Sequence, residues 1–293
     1  MLNIQYKFAR DDRENKVNFF KTKKGVKNIL IGSSRVYSIN LNTVEKLIGG
    51  NTYNFGVGTA TVEEHLGIIK YLERNDKLPK RLIIGLDFYT FNKNHPLNKY
   101  FLRNKELNFL SYKNYDENYI GKFFSIDATK ATIKTLKNHL RSKEYKPRFD
   151  TNSWAGYKKG YLNYSKIDID KENLKTKKEI SDIEERYYSN YQYKSLDKKR
   201  LDYYLQIKDI CQKNNVELIL FTTPLHPLIL DKLYSNTNTS SALNEFLDFF
   251  SSFDNFTNLY YDKDIYSDVR NFNGATHTTV NGGDIILEKI LLK

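Results

Sequence analysis

The stretch NILIGSSRVYSIN, residues 28–40, runs an apolar segment into a Gly-Ser-Ser turn and then an arginine. Two readings of Ser34 follow. A serine at the end of a buried strand is a common loop residue, because Gly and Ser often end strands. The same placement also presents a hydroxyl where a substrate carbonyl could meet it, provided that the chain supplies a base, an oxyanion site and a cleft. The chain has five histidines. His65 and His139 fall on predicted helices and His95 sits beside a proline, positions that suit structural histidines. His226, in TTPLHP, either lines a pocket at a strand end or caps a loop, and His277 lies in the C-terminal GATHTTVNGG. Arg35 either binds an anionic group of a substrate or fixes its turn through a salt bridge. No His, Cys and carboxylate cluster has metal-ligand spacing and no Gly-rich phosphate loop is present, so neither a metal nor a cofactor is expected.

These residues need strands and helices to carry them. Residues 26–31 (VKNILI) read as a buried strand, 52–55 (TYNF) as a second that ends at Gly56, and RLIIGLDF (81–88) as a third. NVELILFTTPLHP (215–227) supplies a fourth and NLYYD (258–262) a fifth. Between them, TATVEEHLGIIKYLERN places Val62, Leu66, Ile69 and Leu72 on one helical face behind a Thr61/Glu64 capping box. A helix over 195–213 has Ser195 as its cap. Alternating strands and helices predict a three-layer α/β/α sandwich with a parallel sheet ordered 2-1-3-4-5, as in flavodoxin-like folds. In such sheets the loops after the strands build the site, which brings Ser33, Ser34, Gly56, Gly58, Asp87, Thr222, Thr223 and His226 toward one edge.

The segments read as an N-terminal arm (1–25), a first core part (26–92), an insertion (93–194) and a second core part (195–293). The insertion is too long for an ordinary loop and is expected to cover the strand ends. Its Trp154 and tyrosines either stack on sugar rings or pack the insertion against the core.

Composition narrows the classes of function. The chain has 293 residues, 40% of them hydrophobic and 14% aromatic, enough to bury a core. Its 47 basic and 35 acidic residues leave a net charge of +12. The cations are spread along the chain, and Lys, Asn, Ile, Tyr and Phe are abundant together, as the codons of an AT-rich genome produce. No nucleic-acid partner is therefore expected; an anionic glycan or a membrane surface suits such a basic surface at least as well. A single cysteine, Cys211, excludes an internal disulfide framework. No apolar run approaches the roughly 18 to 20 residues of a membrane span, and the first residues lack a signal-peptide core, so a soluble chain is expected.

ILIGSSR after the first strand, YNFGVGTATVEEHL after the second, IIGLDFYTF at the third and GATHTTVNGGDIILEKIL at the C-terminus are together similar to SGNH (GDSL-like) hydrolases. The nearest likeness is to the branch associated with bacterial cell-envelope polysaccharides, which includes relatives of the D-alanyl transfer protein of teichoic acid operons. It covers roughly residues 10–92 and 214–293. The resemblance implies that Ser34 is the nucleophile and His277 its general base, with the N–H groups of Ser34 and Gly56 as oxyanion donors. Two positions depart from the family. Gly274 stands where an Asp orients the base, which makes Asp268 the first substitute. Asp87 stands where many relatives place an oxyanion Asn, although envelope-associated relatives often carry an acid there. The implied activity is that of a serine esterase or O-acyltransferase on acylated cell-surface glycans, with Arg35, His226 and Trp154 as candidate substrate contacts. The open alternatives are a degenerate relative that binds a glycan or an assembly partner, and a cytoplasmic or nucleic-acid role. The implied setting is the bacterial cell envelope, with a membrane anchor ahead of a segment like DDRENKVNFF; a chain that starts at Met1 with no anchor would be cytoplasmic.

Overall fold

The computed structural model describes residues 12–110, 178, 180–182 and 195–292. Trp154, His139 and most of the insertion lie outside them. Within them β1 (Asn28–Ile31), β2 (Thr52–Asn54), β3 (Arg81–Leu86), β4 (Glu217–Thr222) and β5 (Phe256–Thr257) pair in parallel in the order β2-β1-β3-β4-β5. This is the expected sheet. Its strands are near-continuous apolar runs because both faces are covered. Ile29, Ile31, Leu82, Ile84 and Leu220 join a core that includes α1 (Asp12–Thr22), α3 (Val62–Arg74), α5 (Lys198–Lys213) and α7 (Thr237–Ser251). Their neighbours Leu30, Ile83, Ile219 and Phe221 face the opposite way, against α2 (Leu41–Ile48) and the C-terminal α9 (Val280–Leu291).

Three elements differ from the sequence reading. The N-terminal arm contains α1, whose Val17 and Phe20 are buried and whose Phe19 stacks on Tyr53 at 4.1 Å. The fifth strand ends before NLYYD, because Leu259 N–H donates to Thr222 Oγ1 and the chain leaves the sheet there. Asp197, not Ser195, caps α5 through Lys199 N–H. Of the insertion, α4 (Lys99–Arg103) is described: Phe101 and Leu107 enter the core beside α3, while Asn98 donates to Thr59 Oγ1 beyond β2.

One buried histidine sets a pH dependence. His65, on α3, has its Nδ1 2.6 Å from Tyr204 Oη, and its Nε2 is buried without a partner. Burial pushes its pKa down to about 4, with Asp87 opposing. Unfolded, it titrates near 6.5, so between about 6.5 and 4 the unfolded state holds a proton that the folded state refuses. Stability is expected to fall as pH drops through that window, His65 accounting for up to about 3 kcal/mol. Urea denaturation at pH 5 and pH 7 checks this: the difference should shrink in His65→Gln, and an equal difference in both proteins would rule His65 out.

Candidate active site

After β1 the chain closes into a 3-10 turn, Ser34–Val36, capped by Ser33, whose hydroxyl accepts Arg35 N–H at 3.2 Å. Val36 fills a pit at the strand ends where three glycines make room for it. A Cβ at Gly32, Gly56 or Gly85 would stand 2.7, 2.5 or 2.6 Å from a Val36 methyl. Gly56→Ala is therefore expected to cost about 1–3 kcal/mol through overpacking, measured by thermal denaturation; an unchanged melting temperature would contradict this packing. The pit leaves Ser34 half-buried at the carboxyl end of the sheet.

His277 reaches Ser34 on a short antiparallel ribbon, β6 (Phe272–Asn273) and β7 (His277–Thr278). Ser38 Oγ lies 2.9 Å from Thr278 Oγ1, and α9 approaches closely enough that a Cβ on Gly283 would be 3.0 Å from Ser38 O. The NGGD sequence thus lets α9 press the ribbon onto the Ser34 turn. Ser34 Oγ and His277 Nε2 are 2.9 Å apart. His277 Nδ1 is 3.1 Å from Thr276 Oγ1. With Nδ1–H donated to that hydroxyl, Nε2 is the acceptor for the Ser34 proton.

The acids near this loop turn elsewhere. Asp268, expected to orient His277, instead caps the 3-10 turn Val269–Asn271 through Arg270 N–H and pairs with the Arg270 guanidinium at the surface, which lowers its pKa. Asp264 pairs with Lys289, and Asp284 accepts from Thr43 Oγ1 at 2.8 Å. Gly274 opens the ribbon's turn at φ +73°, a left-handed conformation that glycine adopts without strain. The turn explains the glycine where an acid was sought.

The expected oxyanion groups are only partly available. Among the described residues no group accepts the Ser34 N–H. The Gly56 N–H, however, donates to Asn54 Oδ1 at 2.8 Å, while Asn54 Nδ2 donates to Val36 O at 2.8 Å. Asn54, which sequence reading passed over, locks the 54–58 loop to the Ser34 turn; its place two residues before Gly56 was the one available signal. Asp87 is engaged elsewhere: its Oδ1 accepts from Arg35 Nη1 at 2.9 Å and from Thr223 Oγ1 at 2.5 Å. Arg35, 8% exposed and 4.8 Å from the Tyr89 ring centroid, fixes the turn through this salt bridge. His226 is a helix cap: its Nδ1 accepts Leu228 N–H at the start of α6 (Pro227–Ser235), and its own N–H holds Ala275 O at 3.0 Å. It therefore steadies the ribbon that carries His277. Among the described residues no three His, Cys, Asp or Glu side chains gather closely enough to hold a metal ion.

No protein-family model and no curated protein matches the chain. A solved Streptococcus pneumonia structure, provisionally described as a platelet activating factor, is similar at 8% identity and a TM-score of 0.40, over 98% of this chain and 88% of that one. A likeness of that degree bears on neither substrate nor residue roles.

Behind the Ser34 turn lies a buried charged cluster, Asp12, Arg13, Lys16 and Glu64, on which sequence reading made no prediction. Burial pushes Lys16 down to about 7 against the pull of Asp12, and pushes Glu64 up to about 7 against Arg13. Arg13 pairs with Glu64, whose other oxygen accepts Thr61 N–H at 2.9 Å. Among the described residues no helix is long and apolar enough to cross a membrane.

Proposed function

We propose that the chain is a serine-dependent esterase or acyltransferase acting on acyl groups of a bacterial cell-surface polysaccharide. The observation that carries the reading is the 2.9 Å contact between Ser34 Oγ and His277 Nε2. A serine hydroxyl becomes a competent nucleophile only beside such a base. Ser34 Oγ attacks the ester carbonyl as its proton passes to Nε2, and the Ser34 N–H donates to the developing oxyanion. The imidazolium returns that proton to the leaving sugar alkoxide, which leaves an acyl group on Ser34. Water or an acceptor hydroxyl then takes the acyl group by the same steps in reverse. The glycan substrate and the envelope setting come from the resemblance of the four motifs; a membrane surface or the glycan itself suits the +12 chain.

A second reading, a glycan- or partner-binding protein with a weakened site, is favoured by one specific observation: Thr276 meets Nδ1 where a carboxylate would stabilise the imidazolium. Losing such an acid costs about 10⁴-fold in a serine protease. The two readings separate on incubation with a serine-directed fluorophosphonate and with O-acetylated xylan. An adduct on Ser34 with acetate release above the Ser34→Ala background supports catalysis. A folded protein that gives neither leaves binding as the function.

A further inference from the structure

We propose that Asp12 and Lys16, on α1, are positioning residues for Ser34 that hold its turn and the 54–58 loop at one fixed separation; this rests on Ser34 being the nucleophile. Asp12 Oδ2 accepts the Tyr37 O–H at 2.5 Å and the Gly58 N–H at 2.8 Å. Tyr37 closes the Ser34–Val36 turn, with its own N–H on Ser34 O at 3.1 Å. One carboxylate oxygen thus ties the nucleophile's turn to the neighbouring loop. Lys16 Nζ donates to Asn54 O at 2.6 Å and lies 5.6 Å from the Tyr37 ring centroid, so it contacts both segments, which the Asn54 side chain also joins by spanning Gly56 N–H and Val36 O. Arg13 makes a third point of attachment, donating to Gly58 O at 2.9 Å and to Asp12 Oδ1 at 3.1 Å.

Holding α1 on the sheet does not require these charges. Val17 and Phe20 are already buried, and the Phe20 ring lies 5.0 Å from Tyr53 and 5.4 Å from Phe55. Lys16 is 0% exposed, Arg13 2% and Asp12 5%. An apolar side chain at position 16 would bury more favourably than an ammonium, which must be stripped of water. What a charge-assisted hydrogen bond adds is direction and distance. Those matter beside a nucleophile, because a misplacement of about 1 Å can lower a rate about 10²-fold.

The test is the rate at which a fluorophosphonate modifies Ser34 in the full chain, with a melting temperature for each protein. Tyr37→Phe and Lys16→Met, which each remove one tie and little bulk, should lower the maximal modification rate by about three- to thirtyfold, with the half-saturating probe concentration unchanged. Asp12→Ala should lower it further, and Asp12→Asn, which keeps an acceptor oxygen, should recover part of the loss. Should Asp12→Ala fail to fold, Tyr37→Phe and Lys16→Met decide. Modification of those folded variants at the wild-type rate overturns the positioning role, whatever their melting temperatures, and leaves Ser34 as the nucleophile. Absence of an adduct on wild-type Ser34 overturns the nucleophile and, with it, the positioning role.

Discussion

Ser34→Ala is expected to lower ester hydrolysis by about 10⁴-fold or more while leaving the fold intact. Neighbouring hydroxyls cannot replace it. The Ser33 hydroxyl is buried and accepts Arg35 N–H, and the Ser38 hydroxyl is paired with Thr278. The turn itself loses little, because Ser34 contributes a hydroxyl to His277 and the turn is seated by Val36. Stability should therefore change by less than about 0.5–1 kcal/mol. His277→Ala should cost a similar factor, and the double variant no more than either single one, since nucleophile and base act as a unit. Initial rates on an aryl acetate, with the melting temperature as control, check both points. Wild-type turnover in Ser34→Ala would remove it from the mechanism, and multiplicative losses in the double variant would show that the 2.9 Å contact is not a working pair.

The largest expected effect on stability is that of Asp87→Ala. Arg35 and Asp87 are 8% and 1% exposed, and Asp87 Oδ1 gathers both Arg35 Nη1 and Thr223 Oγ1. Truncating the acid leaves a guanidinium with its charge partner gone in a site that water scarcely reaches, a change that typically costs about 3–5 kcal/mol. In a chain of this size that lowers the melting temperature by roughly 10 °C. Replacing both partners by apolar residues, as in Arg35→Met with Asp87→Leu, should restore much of the loss, because desolvation of the two charges largely offsets their attraction. Hydrolysis should stay low in the double variant, since Arg35 follows the nucleophile directly and its salt bridge fixes the turn. A drop of under about 1 kcal/mol in Asp87→Ala would mean that the pair is screened by water despite its burial.

The sheet and its order were legible in the sequence because they arise from local patterns. Three apolar runs of four to six residues, each ended by Gly, Asp or Thr, read as strands buried on both faces, the pattern of a parallel sheet. Ser34 at the end of the first run, and His277 on the last motif, were readable on the same grounds with the help of the family pattern, though 243 residues separate them. What meets the far side of His277 was not readable. Proximity in sequence suggested Asp268, but the left-handed turn at Gly274 delivers Thr276 to Nδ1, while Asp268 turns to the nearer cation of Arg270. Nor could any local pattern place DRENK, which carries the charge of a solvated helix face. Its burial is decided by partners on other elements, among them Gly58 N–H, Asn54 O and the Glu64 carboxylate. A segment's apolar period is set by its own residues, but a buried charge is stable only beside its partner, and tertiary structure alone brings the two together.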